Sequence, residues 1–151
     1  MLKEQEPPET IMPIRWLVGD DNESMFNMYS LILPLYGIQA RIFADPEEVV
    51  AAYAARQSDY DLVLTDYNYQ KGPDKTGFYV ATRLTAITET SLPIVMCSGN
   101  VFKRDEQEKL NVAIHLVLPK PITIGHLLKQ ISQSDRVQTA LRIRQDFYSS
   151  R

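Results

Sequence analysis

Four short apolar runs in this chain each end on a residue able to do chemistry. Ile14-Arg15-Trp16-Leu17-Val18-Gly19 leads into Asp20-Asp21, and Leu62-Val63-Leu64-Thr65 into Asp66. Ile94-Val95-Met96-Cys97 leads into Ser98, and Leu116-Val117-Leu118-Pro119 into Lys120-Pro121. If these runs are neighbouring parallel strands, three carboxylates, a hydroxyl and an ammonium converge at one edge of one sheet. Carboxylates are the ligands of a hard cation such as Mg²⁺, which takes octahedral oxygen at about 2.0 to 2.1 Å and keeps several waters. A hydroxyl and an ammonium can donate to an anionic oxygen. Without a cation, three adjacent carboxylates repel and at least one titrates high as part of a coupled set, so metal affinity falls in acid. No zinc-type spacing competes, because Cys97 stands alone and His115 and His126 lie apart. Both histidines read as surface or packing residues.

Each of these residues has a plainer reading when taken alone. Asp20-Asp21 can cap a helix, Asp66 can form a strand-end turn, Ser98-Gly99-Asn100 is an ordinary turn, and a lysine before proline is commonly a surface residue. The weight lies in their joint occurrence, in order, at the ends of four apolar runs.

The elements that must position them follow from the alternation along the chain. Residues 1–13 mix Lys, Glu, Gln and three prolines with no apolar period, and read as a disordered N-terminal segment. From Ile14 onward, short β-branched or leucine-rich runs alternate with stretches whose apolar residues recur at three and four, the mark of β-α units. The first helix starts at Asp21-Asn22-Glu23, carries Met25, Met28, Tyr29, Ile32 and Leu33 on one face, is ended or kinked by Pro34, and stops at Gly37. A second strand is expected over residues 40–44. Asp45-Pro46-Glu47-Glu48 then opens a helix with a cap, a first-turn proline and acids at its positive end. After Asp66 comes a long turn-rich loop to Gly77, then a helix over about 78–88, a strand opened by Pro93, and a short charged helix around 103–110. A fifth strand is expected over about 114–118, with a helix beginning near Thr123.

Strands alternating with helices require a parallel sheet, because each crossover consumes a helix that packs on a face. Right-handed crossovers bring all the strand C-termini to one edge, where ligands of open α/β sheets bind. Length and composition fit one domain, and a net charge of −3 sets up no field that would gather nucleic acid or anionic lipid. A lone cysteine, no secretory signal and no apolar stretch near ~20 residues fit a reducing cytoplasm and exclude direct DNA binding and membrane insertion as expectations.

The ordered set Asp20-Asp21, Asp66, Ser98 and Lys120-Pro121 resembles the receiver domain of two-component response regulators, over roughly residues 14–133. The resemblance implies a flavodoxin-like (βα)5 doubly wound sheet of order 2-1-3-4-5. It also implies a phosphoryl group accepted on Asp66 from a histidine kinase or phosphotransfer protein. By the same resemblance Asp20, Asp21 and Asp66, with the backbone carbonyl of Asn68, hold Mg²⁺. Ser98 grips a phosphoryl oxygen, Lys120 neutralises charge, and the Lys120-Pro121 bond is cis. Carboxylate is a modest nucleophile toward phosphorus, and the charge that develops on the equatorial oxygens must be neutralised in place, which suits this residue set. Phosphorylation would let Ser98 draw in the loop after the fourth strand and bias the charged fourth helix toward an unknown downstream protein.

Three features depart from the usual receiver pattern. Val117 stands where many receivers carry a switching Tyr or Phe, the loop from Asp66 to Gly77 is about three residues longer than the commonest form, and Asn111-Val112-Ala113-Ile114-His115 replaces a small-residue turn. They support the alternative of a pseudo-receiver, an interaction module that works unphosphorylated. A haloacid-dehalogenase-type enzyme would also use aspartyl phosphate and Mg²⁺, but its first-strand Asp-x-Asp is absent from Asp20-Asp21-Asn22. The expected chemistry is therefore that of a signalling domain, with at most its own phosphorylation and dephosphorylation. Residues 134–151 form a C-terminal helical extension with Val137, Ala140, Leu141, Arg144, Phe147 and Tyr148 at helical spacing. It reads as a partner-binding or homodimer-forming helix, a linker, or a solvated extension of the last helix.

Overall fold

A computed structural model gives the protein's structure over residues 8–70, 72 and 74–151, and the expected disorder of residues 1–7 falls outside these described residues. The five strands are β1 (Arg15–Gly19), β2 (Gln39–Phe43), β3 (Leu62–Asp66), β4 (Ile94–Ser98) and β5 (Leu116–Pro119). The helices are α1 (Glu23–Ile32), α2 (Pro46–Ala55), α3 (Gly77–Ile87), α4 (Arg104–Ala113), α5 (Ile124–Gln133) and α6 (Asp135–Ser149). The strands pair in parallel in the order β2-β1-β3-β4-β5, the flavodoxin-like topology.

Strand periodicity of two divides the core between the two faces of the sheet. Trp16, Val18, Leu62, Leu64, Val95 and Cys97 pack under α1 and α5, while Leu17, Val63, Ile94 and Met96 pack under α2, α3 and α4. Because β1, β3 and β4 are covered on both faces, their sequences read as unbroken apolar runs. The register aligns the loaded ends: Gly19 lies opposite Thr65, Asp66 opposite Cys97, and Ser98 opposite Pro119.

Local chemistry fixes where the helices begin. Asn22 caps α1 by accepting from the Met25 amide, Asp45 caps α2, Thr76 caps α3, and Thr123 caps α5. With Asn22 as the cap, neither Asp20 nor Asp21 is consumed in that task. Past Ile32 the chain tightens into a 3-10 turn at Leu33–Tyr36, and Gly37 at φ 75° closes it. Two element ends shift by more than a residue from the sequence reading. α4 extends to Ala113 because Leu110 and Ala113 are buried against the sheet. β5 starts only at Leu116, since Ile114 terminates α4 and the His115 Nδ1 accepts the Ile94 amide at 3.1 Å.

The C-terminal helix packs one face on the core and leaves the other exposed. Ser134 caps it, and Val137 and Leu141 enter the core beneath β1, β3 and β4. Arg144, 3% exposed, donates to the carbonyls of Tyr60 at 2.8 Å, Ser91 at 3.2 Å and Gln57 at 2.5 Å, with its guanidinium over the rings of Tyr53 and Tyr148. The last stretch of the N-terminal segment, read as disordered from composition, is held here as well. Gln138 accepts from the Ile11 amide at 2.8 Å and donates to its carbonyl at 2.9 Å, and the Trp16 indole donates to Pro13 O. The local sequence offers no apolar period, so the order of these residues comes from partners on α6 and β1 that a linear reading does not see.

Candidate functional site

The site is assembled where β1, β3, β4 and β5 end. Asp20 leaves β1 with 2% of its surface exposed, Asp66 ends β3 with 8% exposed, and Asp21 is half-buried beside them. One carboxylate oxygen from each of the three lies within 4.8 Å of the others. Lys120, directly after β5, reaches back with its Nζ 3.0 Å from Asp66 Oδ1 and 4.0 Å from Asp20 Oδ2. The Lys120-Pro121 peptide is cis, as the resemblance implied.

Backbone amides hold the two β1-end acids in place. Asp20 Oδ1 accepts from the Asn22 amide at 2.9 Å, and Asp21 Oδ2 accepts from the Gln70 amide at 2.5 Å. Burial pushes the Asp20 carboxyl up to about 6; the Asn22 amide and Lys120 oppose this, while the neighbouring Asp66 and Asp21 charges add to it. Burial works against the Lys120 ammonium, yet its hydrogen bond to Asp66 and the charges of Asp66 and Asp20 outweigh that and hold its pKa above the ordinary lysine value. An all-oxygen acidic set this compact is suited to a hard divalent cation and offers nothing to a soft one.

Ser98 is buried at the end of β4, and its Oγ accepts from the Asn100 amide at 2.9 Å. Asn68 sits two residues past Asp66 on an exposed turn, where its side-chain amide donates to Asn100 Oδ1 at 3.1 Å and links the loop after β3 to the loop after β4. Val117 is half-buried against the core under α2, α3 and α4, so that position carries no hydroxyl or ring. His126 is exposed, and His115 serves the β4–β5 pairing.

The linear reading missed several residues that shape the site. Tyr69 is buried and its hydroxyl meets Thr65 Oγ1 at 2.7 Å. Gly19 makes room for it, since a Cβ there would lie 2.0 Å from the Tyr69 hydroxyl. Gly77 serves the other end of the loop, where a Cβ would meet the Asp66 carbonyl at 2.3 Å and where its amide donates to Tyr67 O at 2.7 Å. A glycine immediately before an acid pair was the one signal available in sequence. Tyr67 rests edge-on against Phe102 at 5.0 Å, joining the same two loops that Asn68 and Asn100 join.

The model of the response regulator receiver domain matches residues 17–132. This chain belongs to that family. The receiver is 36% identical over 80 residues to the aerobic respiration control sensor protein ArcB of Escherichia coli K12, a match covering 52% of this chain and 10% of that protein, so it spans about a tenth of that curated relative. Among solved structures it is similar to the CheY-like receiver domain from Methylobacillus flagellatus, with 27% identity and a TM-score of 0.63 over 76% of this chain and 92% of that one. It also shares its fold with the receiver domain of a sensor histidine kinase from Pseudomonas aeruginosa PAO1, solved with a magnesium ion coordinated in its active site cleft. That pair has 22% identity and a TM-score of 0.66, covering 80% of this chain and 96% of the other. The receiver is a domain of two-component signalling, and no helix among its described residues is long and apolar enough to cross a membrane.

Proposed function

We propose that this receiver accepts a phosphoryl group on Asp66 from a histidine kinase or phosphotransfer protein, with Mg²⁺ bound beside it, and that the modified state changes its contact with a downstream protein. The observation that carries the reading is the compact acid triad of Asp20, Asp21 and Asp66 with Lys120 Nζ 3.0 Å from the Asp66 carboxylate. The magnesium ion seen in the Pseudomonas receiver's cleft supports the same reading. In it, Asp20, Asp21, Asp66 and the Asn68 carbonyl hold the ion, which when bound offsets negative charge on the incoming phosphoryl oxygens.

The chain's own residues do the rest. An Asp66 oxygen attacks phosphorus in line as the bond to the donor nitrogen breaks, and the pair of electrons leaves with the donor. Lys120 meets the charge on the equatorial oxygens. Ser98 turns its hydroxyl to the new phosphoryl group and draws the β4–α4 loop inward, which biases α4 between two arrangements. The domain is a cytoplasmic signalling module whose chemistry is confined to its own phosphorylation and dephosphorylation.

Incubation of wild type and Asp66→Asn with a small phosphodonor and Mg²⁺, followed by intact mass, tests the reading. A gain of one phosphoryl in wild type alone is expected. No gain in a folded wild-type protein would overturn it and assign the chain as a pseudo-receiver, a role to which Val117 and the long loop after Asp66 are suited.

A further inference from the structure

Tyr69 anchors the loop after β3 in the core, directly under the site. Tyr69 is 6% exposed, and its hydroxyl lies against Gly19 and Thr65, a register pair of β1 and β3. Each of these residues immediately precedes a site acid, Asp20 just past the end of β1 and Asp66 at the end of β3. The Thr65 hydroxyl donates to the Asp66 carbonyl at 2.9 Å, so its oxygen is left to accept and Tyr69 is the donor in the 2.7 Å bond between them. A directed chain therefore runs from the loop tyrosine, through Thr65, to the backbone of Asp66.

The residues on either side of Tyr69 are tied to the site. Asn68 donates its side-chain amide to Asn100 Oδ1, and Gln70 donates its backbone amide to Asp21 Oδ2. Three consecutive loop residues thus face three parts of the site, with the middle one anchored in the core. We propose that Tyr69 is a positioning residue for the cation site, its hydroxyl holding the loop so that Gln70 orients Asp21 and the Asn68 carbonyl lies over the acids. This rests on the reading of Asp20, Asp21 and Asp66 as the Mg²⁺ site. Groups that orient metal ligands without touching the metal typically account for ten- to a hundredfold of affinity, and a loop with two tethers remaining belongs at the lower end.

The test is calorimetric titration of the full chain with Mg²⁺ in three forms: wild type, Tyr69→Phe and Tyr53→Phe. Tyr53 is the control because its hydroxyl makes a matching 2.6 Å bond to Thr88 Oγ1, away from the acids. Both variants lose one tyrosine–threonine hydrogen bond, so a merely structural role predicts equal effects on both. The expected result is about tenfold weaker Mg²⁺ binding for Tyr69→Phe and unchanged binding for Tyr53→Phe. Thr65→Val removes the acceptor of the same bond and is expected to weaken binding as Tyr69→Phe does, which keeps the test available should the latter fail to fold. Affinity within twofold of wild type in folded Tyr69→Phe or Thr65→Val, or an equal loss in Tyr53→Phe, would overturn the proposal. A folded wild-type chain that takes up no Mg²⁺ would instead overturn the metal reading beneath it.

Discussion

Lys120 and a divalent cation are rivals for the same carboxylates. With Nζ at 3.0 Å from Asp66, the ammonium already offsets part of the charge that draws a metal in, yet it is also the group best placed to meet charge on a transferred phosphoryl. Lys120→Met is therefore expected to bind Mg²⁺ as tightly as wild type or tighter, while phosphorylation by a small donor slows by about a hundredfold or more, read by intact mass over time. Weaker Mg²⁺ binding together with wild-type phosphorylation would reverse both assignments. Gly19 is constrained by contact with its neighbours. A Cβ there would meet the Tyr69 hydroxyl at 2.0 Å and Val49 Cγ2 at 2.9 Å, so Gly19→Ala is expected to cost about 1 to 3 kcal/mol in urea unfolding, and less in a Tyr69→Phe background. The acids, Ser98 and Lys120 were legible in the sequence because apolar strand runs end on them and parallel pairing leaves few other places for them to go. Tyr69 was not, because its meaning depends on a glycine from another strand, and a tyrosine in a polar loop has the same composition whether buried or exposed.

At the scale of elements, the joint between β4 and β5 contains a titrating histidine, and α6 locks onto the end of α4. The His115 ring accepts the Ile94 amide through Nδ1, a role only the neutral ring can fill. Burial first, and the nearby Arg136 charge second, push its pKa down to about 4. The unfolded chain, at about 6.5, thus binds the extra proton between those values, and stability rises with pH across that window. His115's contribution is complete above about pH 6.5 and is lost as pH falls toward 4. His115→Asn keeps an acceptor for the Ile94 amide but cannot titrate, so its urea midpoint at pH 7 relative to pH 5 should fall below that of wild type, the opposite-signed contribution of the raised Asp20 carboxyl being common to both chains. An undiminished difference would place the dependence elsewhere. α6 was legible as a helix from its three-to-four spacing. Its destination was not, because an apolar stripe looks the same whether it meets a partner, a second copy or its own domain. Arg144 compounds the ambiguity, since arginine is rarely buried. Here its guanidinium is enclosed by three carbonyls and two rings, and Arg136 on the same helix donates to the carbonyls of Asn111 and Ile114 at the end of α4. Arg144→Met is expected to cost about 3 kcal/mol in urea unfolding, because charge-assisted bonds to buried carbonyls are lost together.

On the whole-molecule scale, the cation site and the α6 anchor occupy opposite edges of one sheet. The acids lie at the C-terminal ends of the strands, whereas Gln57, Tyr60 and Ser91, which receive Arg144, precede β3 and β4. Five-residue strands put about 16 Å between those edges at roughly 3.3 Å per residue. Sites that far apart with no shared partner add in free energy to within about 0.5 kcal/mol. A ligand that binds only the folded chain stabilises it by about 2.7 kcal/mol at a hundred times its Kd, whatever the rest of the fold contributes. Mg²⁺ at that ratio should therefore raise the unfolding free energy of wild type and of Arg144→Met by the same amount, although the variant starts lower. Urea titrations of both chains with and without Mg²⁺ give the four numbers needed. A gain in Arg144→Met that falls short by more than about 1 kcal/mol would mean that α6 and the acid site communicate through the sheet. α6 would then belong to the signalling device as well as to the core.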